Sequence, residues 1–170
     1  MICPSCGFDN IEGMDRCENC MKSLRDMDVP RSDATEGLAR SVMEDNLNRL
    51  EQEEVLTARP DEAAIDVARR MKNAQTACAL VLDNNNLVGI FTEHDVLCKM
   101  TGERAGAGER PVSEVMSAHP EALRETDTVA AALNKMAMGR YRHVPIARAD
   151  GSYSVTSIKH VLKYIAQEDW

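Results

Sequence analysis

The stretch Gly89-Ile90-Phe91-Thr92-Glu93-His94-Asp95-Val96-Leu97 decides the fold, because it returns in altered form 65 residues later. The second copy reads Ser154-Val155-Thr156-Ser157-Ile158-Lys159-His160-Val161-Leu162. Each copy predicts a short apolar strand that passes through a hydroxyl residue, Thr92 or Ser157, into an amphipathic helix. A helix start has backbone N–H groups without partners and the positive end of the helix dipole, so this junction can hold a phosphate.

Thr92 and Asp95 also fit a simpler role. Thr92 is the predicted N-cap and Asp95 lies three residues on, so the pair resembles a capping box that satisfies the helix's own N–H groups. For the motif alone, this capping role is the better interpretation. The repeat around the motif shifts the balance toward a ligand site.

Length and charge limit the classes of protein that fit. The 170 residues allow one ordinary domain and a small module, and the 44% of hydrophobic residues can fill a core although only 4% are aromatic. The net charge of −8 argues against general affinity for nucleic acid or anionic lipid. No apolar run is long enough for a membrane span, and Cys3 and Cys6 leave no room for a signal peptide, so we expect a cytoplasmic protein.

Four of the six cysteines are spaced as metal ligands. Cys3, Cys6, Cys17 and Cys20 form two C-x2-C pairs separated by ten residues. Two thiolate pairs on tight turns can meet around one tetrahedral Zn²⁺ with Zn–S bonds of about 2.3 Å. The segment resembles the short zinc ribbon found at the ends of many prokaryotic proteins. Two disulfides are disfavoured because a cytosolic compartment keeps thiols reduced, and iron in a rubredoxin-like site is a minor alternative.

The charge of this segment bears on its partner. Within residues 1–22 there are two basic and four acidic side chains, a net charge of −2: Arg16, Lys22, Asp9, Glu12, Asp15 and Glu18. Phosphate contacts need Lys and Arg, so a structural staple or a protein-docking module is favoured over nucleic-acid binding. The alternative is a ligand-responsive transcriptional regulator that contacts DNA through the ribbon.

An ungapped repeat follows a polar linker at residues 25–37. Adding 65 takes Ala64 to Val129 and Thr92 to Ser157, so each copy predicts strand, helix, strand, turn, strand and helix. The first helices are predicted at Glu62–Lys72 and Thr128–Met138. A matching start, Ser41-Val42-Met43 or Glu114-Val115-Met116, precedes each copy.

These residues resemble a tandem pair of cystathionine-beta-synthase (CBS) domains, a regulatory module, from about Val42 to Ala166. The motifs that carry the resemblance are Gly89-Ile90-Phe91-Thr92-Glu93-His94-Asp95 and Tyr141-Arg142-His143-Val144-Pro145-Ile146. It implies an α/β fold with pseudo-two-fold symmetry, two clefts that commonly hold adenine nucleotides, and a homodimer. The predicted domains are a zinc ribbon (1–24), the linker, and CBS domains at 38–104 and 111–168.

The resemblance also implies site residues. Asp95 would accept hydrogen bonds from both ribose hydroxyls, and Thr92 would donate to a phosphate. Arg142 and His143 look like the family's basic position that reaches a phosphate, and Thr57 looks like a position lining the ribose or base. Taken without the repeat, Arg142 would be an exposed surface cation and His143 a structural histidine.

The second copy departs from the pattern. Ser154 stands where the glycine should be, and His160 where the ribose-binding carboxylate should be. An imidazole cannot supply two carboxylate acceptors, so the cleft that uses Ser157 should be weak, empty or altered in specificity. We therefore expect a non-enzymatic sensor of an adenosine-containing ligand, with AMP, ADP or ATP favoured, and a structural zinc ion. The purely structural alternative is an assembly scaffold whose clefts bind nothing.

Overall fold

The computed structural model describes residues 2–3, 5–11, 14–24, 37–52, 55–101 and 108–167. The chain divides into two compact units. Unit 1 contains Met1–Gln52, Leu123–Val144 and Thr156–Trp170, and unit 2 contains Glu53–Ala122 and Pro145–Val155. Unit 1 therefore combines the start that precedes the first copy with most of the second copy, and unit 2 combines the first copy with residues 145–155 of the second. The predicted linker at 25–37 lies outside the described residues, apart from its last residue.

Unit 2 is built on a four-stranded sheet in the order β1-β2-β3-β4. Its strands are β1 (Leu56–Ala58), β2 (Cys78–Asp83), β3 (Asn86–Thr92) and β4 (Ser117–Ala118). β1 runs parallel to β2, and the other pairs are antiparallel. Between β2 and β3, Asn84 and Asn85 have φ of 46° and 64°, which suits a tight hairpin turn that asparagine tolerates. The helices of this unit are α2 (Ala64–Ala74), α3 (Glu93–Met100) and α4 (Val112–Val115).

The two faces of this sheet differ. One face packs against the helices through a cluster that includes Val67, Val81, Phe91 and Val112. Because neighbours opposite each other in a sheet share a face, Thr57 (opposite Leu80) and Thr92 (opposite Cys78) lie on the other face. That second face carries a smaller apolar cluster.

Unit 1 holds the helices of the second copy. Its elements are α1 (Gly37–Glu44), a 3₁₀ turn (Leu47–Arg49), β5 (Leu123–Arg124), α5 (Val129–Gly139) and α6 (Ile158–Gln167). α5 packs against both α1 and α6. Strands β6 (His143–Ala147) and β7 (Tyr153–Ser157) contribute residues to both units and complete a sheet in the order β5-β6-β7.

The structure confirms the 65-residue repeat. α2 and α5 start 65 residues apart, as do α3 and α6, and β3 and β7 end 65 residues apart. Both α2 and α5 are closed by a left-handed residue at the same repeat position, Gln75 (φ 54°) and Arg140 (φ 53°). α2 begins two residues later than predicted, because the Glu62 side chain accepts from the Arg59 N–H at 2.7 Å and belongs to the preceding turn.

The starting helices are exchanged between the copies. α4, which precedes the second copy in sequence, packs on α2, α3 and β3 of the first copy, whereas α1, which precedes the first copy, packs on α5 of the second. Short β-bridges fix each exchange, Ala63 with Pro111 and Asn46 with Thr128. The sequence shows the two starts but does not indicate this exchange.

Candidate ligand site and cysteine cluster

Thr92 is the N-cap of α3 and forms a capping box with Asp95. The Asp95 N–H donates to Thr92 Oγ1 at 3.3 Å, and the Thr92 N–H donates to Asp95 Oδ2 at 2.9 Å. The Thr92 hydroxyl donates to the same carboxylate oxygen at 2.8 Å. The capping role considered from the sequence is therefore confirmed, and a ligand role for the same two residues must coexist with it.

The other oxygen of Asp95 faces a lysine and a serine. Lys99 Nζ donates to Asp95 Oδ1 at 2.7 Å, and Ser117 Oγ donates to it at 3.4 Å. Asp95 is only 3% exposed, so these donors compensate for the removal of its charge from water. The sequence reasoning missed both residues. The spacing of Asp95 and Lys99, four apart on a helix, was a usable signal for an ion pair, whereas Ser117 lies too far along the chain to be found that way.

The second copy repeats this cap with a different acceptor. The Ser157 N–H donates to His160 Nδ1 at 3.1 Å, and the Ser157 hydroxyl lies 3.3 Å from the same nitrogen. An Nδ1 that accepts a backbone N–H carries no proton, so the geometry assigns the ring proton to Nε2. Both residues are buried. His160 thus replaces the carboxylate of Asp95 as a cap, with one acceptor atom in place of two.

Thr57 lies in the same sheet as Thr92. β1 and β3 flank β2, where Thr57 is opposite Leu80 and Thr92 is opposite Cys78, so the two threonines share a face and are offset by two residues. Thr57 is exposed, and its carbonyl accepts from Arg70 Nη1 at 3.2 Å. The threonine side chain therefore stands on the face away from the helices, as a ribose- or base-lining position requires.

Arg142 and His143 are in unit 1, whereas Thr92 and Asp95 are in unit 2. Arg142 is exposed, and its carbonyl accepts the N–H of Ile158, the first residue of α6, at 3.0 Å. His143 is the first residue of β6 and is half-buried. The predicted action of these two side chains on the ligand held by Thr92 and Asp95 stays a prediction.

Gly89 gives room to Met116 on the helix-covered face of the sheet. A Cβ placed on Gly89 would lie 2.0 Å from Met116 Sδ, far inside van der Waals contact. Met116 packs on the same apolar cluster as Phe91. The glycine of the first motif is thus explained by the packing of a residue from the other copy's start, which the motif alone does not indicate.

The four cysteines of the N-terminal segment meet at one point. Their sulfur atoms all lie within 4.8 Å of one another, with 3.7 Å between Cys3 and Cys20 and 3.5 Å between Cys6 and Cys17. Tetrahedral coordination with Zn–S bonds of about 2.3 Å places sulfurs roughly 3.8 Å apart, so the cluster fits such an ion. All four thiols are unbonded to one another, which argues against the disulfide alternative.

Two backbone turns of the same design present these thiols. In the first, the Gly7 N–H donates to the Cys3 carbonyl at 2.9 Å, and in the second the Met21 N–H donates to the Cys17 carbonyl at 2.9 Å. Gly7 and Met21 both adopt positive φ, 71° and 58°. Buried Asn10 joins the turns, because its Oδ1 accepts the Glu18 N–H at 2.9 Å.

The electrostatics of the cluster favour a bound cation. Burial raises the pKa of the Cys17 thiol, but hydrogen bonds from the Cys20 and Asn19 N–H groups and from the neighbouring thiols outweigh it and lower the pKa to about 6. The Lys22 N–H lowers the pKa of Cys20, but burial and the three neighbouring sulfurs together raise it to about 12. Thiolates crowded this closely repel one another, and a metal ion removes that repulsion.

The cysteine segment is also tied to α5 within unit 1. Asp15 forms an ion pair with Lys135, which is only 6% exposed, and burial lowers the pKa of that lysine. A buried ammonium needs an opposite charge, so this pair fixes one side of the segment on the helix.

The repeat that follows the cysteine segment resembles known proteins. The CBS domain model matches residues 41–102 and 112–167. The CBS domain-containing protein CBSCBSPB1 of Arabidopsis thaliana is 32% identical over 108 residues, which is 63% of this chain and 20% of that protein. This chain therefore corresponds to about a fifth of that relative's length.

Two solved structures share the fold. The CBS domain pair of protein MJ0100 in complex with 5′-methylthioadenosine and S-adenosyl-L-methionine has a TM-score of 0.62 and 15% identity, covering 71% of this chain and 95% of that one. CBSX2 in complex with AMP has a TM-score of 0.61 and 18% identity, covering 72% of this chain and 96% of that one.

Among the described residues, we find no helix that has both the length and the apolar character needed to cross a membrane. The mixed α/β fold with two small sheets agrees with the fold class that the sequence predicts. With a family model that matches both halves of the repeat, the chain belongs to the CBS domain family.

Proposed function

We propose that this chain is a non-enzymatic sensor that binds an adenosine-containing ligand, AMP, ADP or ATP, at the start of α3. The observation that supports it most directly is the buried Asp95 carboxylate at a helix N-terminus, with Thr92 beside it and Thr57 on the same sheet face. A carboxylate can accept from both hydroxyls of a ribose, and the helix start favours an adjacent phosphate. The AMP held by CBSX2, which shares the fold, is consistent with this ligand class.

Ser157 and His160 do not suggest catalysis. A nucleophilic hydroxyl needs a base whose lone pair is directed at it. Here His160 Nδ1 accepts the Ser157 N–H at 3.1 Å, and both side chains are buried, so the pair acts as a helix cap. The second copy should accordingly bind the ligand weakly, not at all, or with altered specificity.

The ligand proposal is tested by calorimetry of the full chain against AMP, ADP, ATP and S-adenosylmethionine. Asp95→Ala should lower the affinity about 30-fold or more, because two hydrogen bonds to a charged acceptor are lost. His160→Ala is the matched control, since it removes the capping side chain from α6, and it should leave the affinity unchanged. Equal affinities for wild type and Asp95→Ala would show that Asp95 is not part of the ligand site.

The proposal for the cysteine segment is a structural zinc site formed by Cys3, Cys6, Cys17 and Cys20, which staples the N-terminal segment or docks a protein partner. Leu24 forms a very small apolar cluster with Cys3, Cys17 and Cys20, so metal binding must supply the folding free energy. The homodimer, the cytoplasmic location and the roles of Arg142 and His143 remain predictions.

Metal analysis of the purified chain tests the zinc proposal. We expect one zinc ion per chain in wild type. Cys6→Ser should contain less zinc, because a serine hydroxyl is a poor ligand for Zn²⁺. Cys98→Ser is the matched control, because Cys6 and Cys98 are both exposed cysteines but only Cys6 belongs to the cluster. Iron in place of zinc would support the rubredoxin-like alternative.

A further inference from the structure

The carboxylate of Asp95 has its acceptor positions filled by protein donors. Oδ2 accepts from the Thr92 N–H at 2.9 Å and the Thr92 hydroxyl at 2.8 Å. Oδ1 accepts from Lys99 Nζ at 2.7 Å and Ser117 Oγ at 3.4 Å. A carboxylate has about four lone-pair positions, so a ribose hydroxyl can bind only by displacing one of these donors.

The donors on Oδ1 are easier to displace than those on Oδ2. Both bonds to Oδ2 come from Thr92, whose backbone is fixed by β3 and by the helix start. The Ser117 contact is long, and Lys99 has a flexible stem that is partly open to solvent, with its side chain 36% exposed. A single hydroxyl can take the place of Ser117 alone, whereas the two hydroxyls of a ribose diol need both positions on Oδ1 and must also move Lys99.

Lys99 joins Asp95 to the end of α4. Besides Asp95 Oδ1, its ammonium donates to the carbonyl oxygen of Val115 at 2.7 Å and to that of Met116 at 3.2 Å. An ammonium has three protons, and all three are used. Val115 is the last residue of α4, so Lys99 satisfies carbonyl groups that a helix end leaves without intrahelical partners.

The second copy links its last helix to the end of a starting helix through a different side chain. Tyr164 occupies the position of Lys99, 65 residues on. Its hydroxyl donates to Oδ2 of Asp45 at 2.6 Å, and Asp45 is the residue directly after α1. A phenol has one proton to donate, whereas the ammonium of Lys99 has three. Both copies thus tie their last helix to the exchanged starting helix, the first copy through an ammonium and the second through a phenol.

We propose that Lys99 is a ligand-sensitive latch between Asp95 and the carboxyl end of α4. This inference rests on the proposed function, because the displacing group is the ribose diol of the adenosine ligand. When the diol takes over Oδ1, the ammonium leaves Asp95 and its hold on the α4 carbonyls loosens. The binding event is thereby converted into a change at the start of the second copy, and nucleotides without a diol should not produce it.

The test combines calorimetry with hydrogen–deuterium exchange on the full chain, using AMP and 2′-deoxy-AMP. Lys99→Met keeps an apolar stem but removes the ammonium, so AMP should bind about tenfold more tightly and the amides of 112–116 should exchange faster without ligand. In wild type, AMP but not 2′-deoxy-AMP should raise exchange at 112–116. Lys99→Arg should retain the wild-type response.

Lys163→Met is the matched control, because it removes a lysine ion pair with Glu51 at 2.6 Å on the equivalent helix α6, and it should change neither measurement. The latch is overturned if AMP leaves exchange at 112–116 unchanged, or if Lys99→Met binds AMP no more tightly than wild type. If AMP binds neither wild type nor any variant, the result contradicts the proposed function, and with it the ligand dependence of the latch.

Discussion

The starts of α3 and α6 have the same backbone design and different chemistry. In both, a hydroxyl residue ends a strand, and the side chain three residues on accepts the hydroxyl residue's own N–H: Asp95 accepts from Thr92, and His160 from Ser157. The cap is therefore required by the fold, whichever side chain provides it. What distinguishes the copies is the charge and the number of acceptor atoms, and these are the properties that the donating hydroxyls of a ribose recognise.

The sharpest test of this difference converts the first cap into the second. Asp95→His should still accept the Thr92 N–H, as His160 accepts that of Ser157, but it removes the anion that faces Lys99. We expect a loss of about 2–3 kcal/mol in the free energy of unfolding, since hydrogen bonds to a buried charge are among the strongest. Urea unfolding measures it, and AMP affinity should fall at least 30-fold.

The reverse change, His160→Asp, separates the two properties. It restores a carboxylate at the second helix start, and a gain of a second AMP equivalent in calorimetry would show that the acid alone creates a site. If Asp95→His keeps wild-type AMP affinity, the chemistry of the cap is irrelevant and the two copies do not differ in function.

A second difference lies in the preceding strands, three residues before each cap, at Gly89 and Ser154. Gly89→Ser introduces a Cβ 2.0 Å from the present position of Met116 Sδ, so the methionine must move. Because the clash is with the end of a flexible side chain, we expect a moderate cost of about 1–2 kcal/mol in urea unfolding. Met116→Ala in the same background should recover part of it; no recovery would show that the cost comes from the strand and not from this contact.

The sequence was informative where the signal is local. The spacing of the cysteine pairs places four sulfurs within 4.8 Å, and the 65-residue period matches α2, α3 and β3 with their counterparts in the second copy. A capping box needs only residues three apart, so Thr92 and Asp95 could be paired from the order of the residues alone.

The sequence was not informative where partners are distant and the pattern is ambiguous. α4 has four residues, too few to show which copy its apolar side chains cover, so its packing on α2 and α3 could not be predicted. For the same reason Gly89 could not be matched with Met116, or Lys99 with the carbonyl of Val115. These contacts surround the candidate site and decide which of its donors can move.

A third test compares two threonine caps. Thr92 caps α3 and Thr128 caps α5, where its hydroxyl oxygen accepts the Ala131 N–H at 3.2 Å. Each Thr→Ala change should cost about 1 kcal/mol in unfolding free energy, the usual value of an N-cap. Only Thr92→Ala should lower AMP affinity in calorimetry. A similar loss of affinity in both variants would mean that helix stability, and not the Thr92 hydroxyl, controls binding.

The smallest expected effect concerns the tie of the second copy. Tyr164→Phe removes the hydroxyl that donates to Asp45 Oδ2 at 2.6 Å, but Arg49 Nε lies 3.5 Å from the same oxygen and keeps it partnered. We therefore expect a loss of only about 0.5–1 kcal/mol in urea unfolding and no change in AMP affinity. Asp45→Asn keeps an acceptor for the phenol but removes the charge. It should lower the free energy of unfolding by no more than Tyr164→Phe does. A fall in AMP affinity in Tyr164→Phe would show that the second copy's tie also senses the ligand, and the contrast with Lys99 would then be one of degree.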